Sequence, residues 1–466
     1  MDNYVKISYL ESLDNYSCFL TNEQLKFFTL EDLSSPLFLT IGSSKLKLNK
    51  IISDNNNFNP NKLCFSKDLK RIIGIREGTS IQFRKLDKNH LEIGPLIGVF
   101  ISTKKVANLI NGSTDSVYEQ LFSVSKNLNG MCCFFSIGDI DWNSKQIKAL
   151  IFEDLKWKSC IIPLPKVIYD RCFGDYAHKH STELRQRLGN GYSIINRIPK
   201  LGKWETITAL NKNSALIESI PETVLFKQND DIKRMLNKFH SVYFKPDLLY
   251  KGKGVFRISP GEGSSYIVEY RDADNNVNVV KCLDNLDNLK DLIMDYSIKG
   301  GGYIIQKEIH KAAYKNVPFD FRLLYQKNWK GTWEPTGISV RMGAEGSVIT
   351  SPRSGGSVEQ FSTILKEVFN EDISTKGGLY ERVIKIGREV AQTIDREFGD
   401  CVELGLDMTI DMDSKIWIIE VNGKPLKVSL KWLNDPQIIN RAYNRPVEYA
   451  IYLTGFKSAD TVAQVN

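Results

Sequence analysis

The chain contains no Cys-x-x-Cys. Its eight cysteines are scattered, with only Cys132 and Cys133 adjacent, so their spacing suggests neither a zinc site nor a disulfide framework. Buried thiols in a reducing compartment are expected instead. No apolar run approaches the roughly 18 residues needed to span a bilayer. The opening Met1-Asp-Asn-Tyr-Val-Lys6 lacks a basic segment followed by an apolar one. No membrane span and no signal peptide are therefore expected, and these absences point to the cytoplasm. Charge of one sign is not in large excess: 62 Lys and Arg stand against 55 Asp and Glu, a net +7, with no basic arm. The basic residues are not interleaved with aromatics into a patch, which argues against nucleic acid and suits a small anionic ligand. The G-x-x-x-x-G-K-[ST] spacing of a P-loop is missing, and no internal repeat is visible.

What is present is ordinary for a soluble protein: 466 residues, 42% hydrophobic and 25% charged, enough for two or three domains. Residues 1–92 read as a β-rich module of short strands, among them Phe38-Leu-Thr-Ile41, Arg71-Ile-Ile-Gly-Ile75 and Ser80-Ile-Gln-Phe83. From Ile93 onward strands alternate with helices, as in an α/β layer. Later signals include a helix from Lys203 to Asn211, strands ending at Lys245 and Gln306, a hairpin through Arg322 and Arg341, and a long amphipathic helix over 378–398.

The densest signal is Glu403-Leu-Gly-Leu-Asp407-Met-Thr-Ile-Asp411-Met-Asp-Ser-Lys-Ile-Trp-Ile-Ile-Glu420-Val-Asn422. It reads as a β-hairpin with a two-residue turn at Asp413-Ser414, which pairs Met412 with Lys415 and sets Asp407 opposite Glu420. Asn422 falls on the same face, while Leu406, Met408, Trp417, Ile419 and Val421 take the other. Two facing carboxylates repel unless a cation lies between them. Two carboxylates and an amide make a hard donor set suited to Mg2+. An edge hairpin with a solvated acidic face would carry the same pattern.

Four weaker features surround this hairpin. Lys245-Pro246 leads into the Lys/Gly turn Lys251-Gly-Lys253-Gly254, where glycines could bring backbone N–H groups to phosphates; solvated lysines on a plain turn would look alike. Gln306-Lys307-Glu-Ile309 ends a strand and could present backbone groups to a purine. Asp320-Phe-Arg322 and Arg341 put two arginine forks on paired strands, with Asp320 placed to orient Arg322; a structural ion pair is the plainer alternative. Thr350-Ser-Pro-Arg-Ser-Gly-Gly-Ser357 could be a lid or a linker.

In this order the features resemble the ATP-grasp ligases. Leu96-Ile-Gly-Val-Phe100, Pro163-Leu-Pro-Lys-Val-Ile-Tyr169-Asp-Arg171, Pro221-Glu-Thr223, Phe319-Asp-Phe-Arg322 and Glu403-Leu-Gly-Leu-Asp407 are similar to the YheC/YheD branch, which is associated with the endospore coat of Bacillus relatives. The resemblance covers roughly residues 93–455. It implies an α+β ATP-grasp fold over 196–466, with a nucleotide sub-domain near 212–306 and a metal and substrate sub-domain near 307–455. It also implies a pre-ATP-grasp α/β domain at 93–195. Lys203, Lys245, Lys251, Lys253 and Gly254 would meet ATP phosphates. Gln306, Lys307 and Ile309 would hold adenine. Asp407, Glu420 and Asn422 would hold Mg2+. Arg341 and Arg322 would face the substrate carboxylate or its acyl phosphate. An acidic residue that often follows the hinge to hold ribose is replaced here by the run His310-Lys-Ala-Ala-Tyr314. The implied activity is a carboxylate–amine or carboxylate–thiol ligase with small-molecule or peptide substrates, as a monomer or homo-oligomer. Phosphoryl transfer needs positioning and charge neutralisation, so no Ser-His-Asp or Cys-His set is required. An ATP-binding spore-coat or assembly protein with little catalysis is the alternative.

Overall fold

The computed structural model describes residues 4–28, 30, 35–53, 59, 61–174, 176–196, 201–249, 252–272, 277–300, 302–343 and 356–456. The chain divides into two compact units. The first comprises residues 1–199, 327–332 and 443–466, and the second residues 200–326 and 333–442.

In the first unit, strands between Tyr4 and Gly94 close into a seven-stranded barrel. Three of its neighbouring pairs are parallel: Tyr4–Leu10 with Lys62–Ser66, Ser17–Thr21 with Ser44–Ser53, and Leu37–Ile41 with His90–Gly94. The expected strand at Arg71–Ile75 is instead the end of a helix, Leu69–Ile73. Gly74 stops that helix in the left-handed region at φ 68, and a Cβ there would lie 2.2 Å from the carbonyl oxygen of Ile161. An apolar run this short does not by itself distinguish helix from strand. Leu96–Phe100 then enters a sheet with parallel neighbours Met131–Phe135 and Val167–Asp170. Lys156–Pro163 and Val167–Asp170 are separate strands, because the Leu-Pro-Lys step between them turns the chain.

The second unit holds two antiparallel sheets. One is ordered Thr223–Leu225, Tyr303–Lys307, Val242–Pro246, Phe256–Pro260, Tyr266–Asp272, Val277–Leu283. Its core is Ile232, Met235, Val242, Phe244, Phe256, Ile258, Tyr303 and Ile305. The other runs Ser357–Gln360, Trp333–Met342, Val317–Lys327, Glu403–Ile410, Ile416–Asn422. Alternation along it separates two chemistries. Phe319, Phe321, Leu323, Tyr325, Leu404, Leu406 and Met408 are buried on one face. The Leu379–Phe398 helix packs there so closely that a Cβ at Gly387 would lie 2.6 Å from Leu323 and 2.8 Å from Tyr325. The opposite face carries Asp320, Arg322, Asp407, Glu420 and Asn422. The apolar layer thus anchors the strands whose other side is ionic.

Candidate active site

Hairpin register brings Asp407 opposite Glu420 and Gly405 opposite Asn422. The route differs from the expected two-residue turn. Asp411 N–H donates to the Lys415 carbonyl at 3.0 Å, and the Asp411 carboxylate accepts from the backbone N–H groups of Asp413 and Lys415. The Trp417 indole also donates to it at 2.7 Å. This closes a three-residue loop, Met412 to Ser414, with Ser414 at φ 60. The loop shifts the register by one, so Ile410 faces Ile416. An irregularity between Asp407 and Met408, where Ile419 is the extra residue, shifts it back. Two offsets cancel, and Asp407 still meets Glu420. The bulge also corrects the expected apolar face: Ile418 is buried and Ile419 is only half-buried.

The arginines pair differently from expectation. Arg322 does not take Asp320. Its Nε and Nη2 donate to the two oxygens of Asp407, each at 2.7 Å, because the ladder sets Arg322 directly opposite Asp407. Asp320 instead accepts from Nε and Nη2 of Arg341, both at 2.7 Å. Arg341 Nη2 also lies 3.3 Å from Asp407 Oδ1. Burial alone would raise the Asp407 carboxyl, but Arg322 and Arg341 hold it below the usual range.

Three lysines stand on the same ionic cluster. Lys203 begins the Lys203–Leu210 helix; its Nζ donates to the Leu249 carbonyl at 2.6 Å and lies 3.7 Å from Glu420 Oε1. Lys245 is near the end of its strand and donates to Gln306 Oε1 at 2.6 Å. Burial, with the ammonium groups of Lys311 and Lys203 facing it, pushes the Lys245 amine down to about 7; Glu420 and Asp320 offset part of this. Lys311 was not anticipated. Its Nζ is 4.0 Å from Asp320 Oδ2, and burial lowers it too. The sequence signal was its position between the hinge and Asp320.

The hinge residues are committed in part. The Gln306 amide links Lys245 to Thr223, donating to Thr223 Oγ1 at 3.1 Å, and is buried. Lys307 lies over the rings of Phe239 and Trp417, 5.3 Å from each centroid. Because the Tyr303–Lys307 strand is paired on both edges, backbone presentation to a base would have to begin beyond it, near the half-buried Ile309. Glu308, just after the strand, is held by Arg257 at 2.8 Å and by Ser241. In the Lys/Gly turn, Lys253 is exposed, and Gly252 and Gly254 sit at φ 71 and 67, where glycine is favoured. Lys251 and most of the 350–357 loop lie outside the described residues.

Sequence reasoning also missed a buried ion pair. Lys427 Nζ donates to Glu403 Oε2 at 2.7 Å, and Gln326 Nε2 adds a donor at 3.0 Å. Lys427 follows the strap from Asn422 to Leu426, in which Pro425 rests on Gly405; a Cβ on Gly405 would be 2.8 Å from Pro425. Nothing in local spacing marks this long-range pair.

The donor set fits a small hard cation. Asp407 and Glu420 face each other, and the Asn422 amide lies 3.5 Å from Asp407 Oδ2. Among the described residues no three His, Cys, Asp or Glu side chains form a metal cage. Two carboxylates and an amide would therefore leave part of a Mg2+ shell to water and phosphate, as that ion prefers.

Residues 191–453 match the family described as YheC/D-like ATP-grasp. The endospore coat-associated protein YheD of Bacillus subtilis is 25% identical over 378 residues, covering 78% of this chain and 80% of YheD. YheC of the same organism is 25% identical over 328 residues, covering 68% and 87%. The crystal structure of D-cycloserine synthetase DcsG aligns with a TM-score of 0.47 at 11% identity, covering 76% of this chain and all of that one. No helix among the described residues is long and apolar enough to cross a membrane.

Proposed function

This chain belongs to the YheC/D-like ATP-grasp family, and from that premise we propose that it is an ATP- and Mg2+-dependent ligase joining a carboxylate to an amine or thiol. The proposal takes residues 196–466 as the catalytic part, residues 93–195 as an α/β domain before it, and residues 1–92 as a separate module. The observation that carries it is one ionic cluster. Five cationic side chains, Lys203, Lys245, Lys311, Arg322 and Arg341, gather around three carboxylates, Asp320, Asp407 and Glu420. Holding all five in their charged form is unfavourable without an anion, which is why the free protein pushes the Lys245 and Lys311 amines down, and a nucleotide triphosphate supplies that anion.

In this reading Lys203 and Lys245 take phosphate oxygens, and the chain near Ile309 holds adenine. Asp407, Glu420 and Asn422 would hold the metal, which would supply neutralisation of the phosphate charge. Arg341 and Arg322 orient the acid. A carboxylate oxygen of the acid attacks the γ-phosphorus, the bond to the β,γ-bridging oxygen breaks, and ADP leaves. The amine then attacks the acyl carbon, loses a proton and expels inorganic phosphate. Fixed donors aimed at these developing charges are the main catalytic resource.

The test is release of ADP and phosphate with Mg2+-ATP against pools of amino acids and short peptides. Acceptor-dependent ADP supports the proposal; AMP and pyrophosphate overturn the acyl phosphate. The names of YheD and YheC favour a second reading, an ATP-binding assembly protein of the spore coat. It predicts tight Mg2+-ATP binding with no acceptor-dependent turnover. Residence in the cytoplasm, with recruitment to the coat, is part of either reading.

A further inference from the structure

Asp407, named above as a metal ligand, already has a short bond from Arg322 on each oxygen and a more distant donor beside each. A carboxylate has about four lone-pair sites, two per oxygen. Oδ1 faces Arg322 Nε at 2.7 Å and Arg341 Nη2 at 3.3 Å. Oδ2 faces Arg322 Nη2 at 2.7 Å and Asn422 Nδ2 at 3.5 Å. A divalent cation approaching this carboxylate competes with these donors, most of all with the Arg322 fork. Turning the Asn422 amide over frees one site on Oδ2 and offers the metal an amide oxygen. The metal would then share Oδ2 with a guanidinium that is still bonded to it, two cations on one oxygen in a site largely closed to water. Arg341 need not move, because its short bonds are to Asp320.

We infer that Arg322 is a placeholder cation: it occupies Asp407 until a divalent metal takes that carboxylate, and the exchange releases its fork toward the anion bound on the same face. This rests on the ligase reading, in which that anion is the acid or its acyl phosphate. Metal loading would then hand the substrate a guanidinium that the metal-free protein keeps engaged. The geometry accounts for the arginine: a fork that covers both oxygens of Asp407 blocks the site in a way a lysine cannot.

The test is Mn2+ binding to the full chain without nucleotide, followed by electron paramagnetic resonance, in the parent, Arg322→Lys and Arg322→Gln. Losing the paired hydrogen bonds should tighten Mn2+ by at least about tenfold in both variants, and Asp407→Asn should abolish the gain. If only Arg322→Gln tightens, the effect is the loss of a charge and the placeholder idea fails. If both variants weaken Mn2+, Arg322 supports the site rather than competing for it, and the idea fails equally. A parent that binds Mn2+-ATP with these outcomes leaves the ligase reading standing. A parent that binds neither Mn2+ nor Mn2+-ATP removes that reading and this inference with it.

Discussion

ATP binding should take up a proton above neutral pH, with Lys245 as the group that accepts it. In the free protein burial and the facing ammonium groups of Lys311 and Lys203 hold its amine down to about 7, from an ordinary 10.5. At pH 8 about nine molecules in ten would therefore carry a neutral amine. A triphosphate brought within a few ångströms favours the charged form and should return the group toward its ordinary range. The expected uptake at pH 8 is about 0.9 proton per ATP, and apparent affinity should fall by up to about tenfold per pH unit above 7. The stability of the free protein should move the other way. Between 7 and 10.5 the unfolded chain binds more protons at this lysine than the folded one does, so the Lys245 contribution to stability rises with pH across that window. Calorimetric titration at pH 8 in two buffers of different ionisation enthalpy measures the uptake, and Lys245→Met should remove it. ATP binding with no proton uptake by the parent would refute the reasoning; uptake that survives Lys245→Met would reassign the proton to another group, with Lys311 the first candidate.

Mg2+-ATP at about 100 times its Kd should stabilise the fold by about 2.7 kcal/mol, and Asp407→Asn or Glu420→Gln should remove most of the metal-dependent part in a thermal melt. Arg341→Lys keeps the charge but loses the fork that holds Asp320; kcat should fall by ~10²-fold while ATP affinity, by titration, stays near that of the parent. Lys427→Met leaves the fully buried Glu403 without its cation; urea unfolding should show a loss of about 3 kcal/mol or more.

Alternation set Asp407 on the ionic face of its strand and Glu420 with Asn422 on one face of theirs, because a side-chain period of two leaves few choices once one face is apolar; that Asp407 meets Glu420 rests on two offsets that cancel. The turn was not legible. Asp411 looks like any polar residue near a loop, yet its carboxylate draws in two backbone N–H groups and the Trp417 indole, making the loop one residue longer. The compensating bulge at Ile419 depends on packing that no local pattern carries. Pairing across strands was equally hidden. Asp320 and Arg322 share a face at spacing two, which suggested a pair, but the ladder puts each against a partner from another strand. Lys311 and Lys427 are ordinary surface lysines in sequence, and only their tertiary neighbours make them part of an ionic network. The stretch 71–75 failed for a simpler reason: the apolar residues before Gly74 suit the end of a short helix as well as a strand.

Activation of a carboxyl group by ATP is the step on which the proposed chemistry depends. Acids from the active pool, labelled with 18O in the carboxyl group, should be incubated with the protein, Mg2+-ATP and acceptor, and the products read by mass spectrometry. The account predicts ADP together with inorganic phosphate that carries one 18O from the acid. Unlabelled phosphate would reduce the protein to an ATPase, and 18O in AMP would place the chemistry at the α-phosphate, contradicting it.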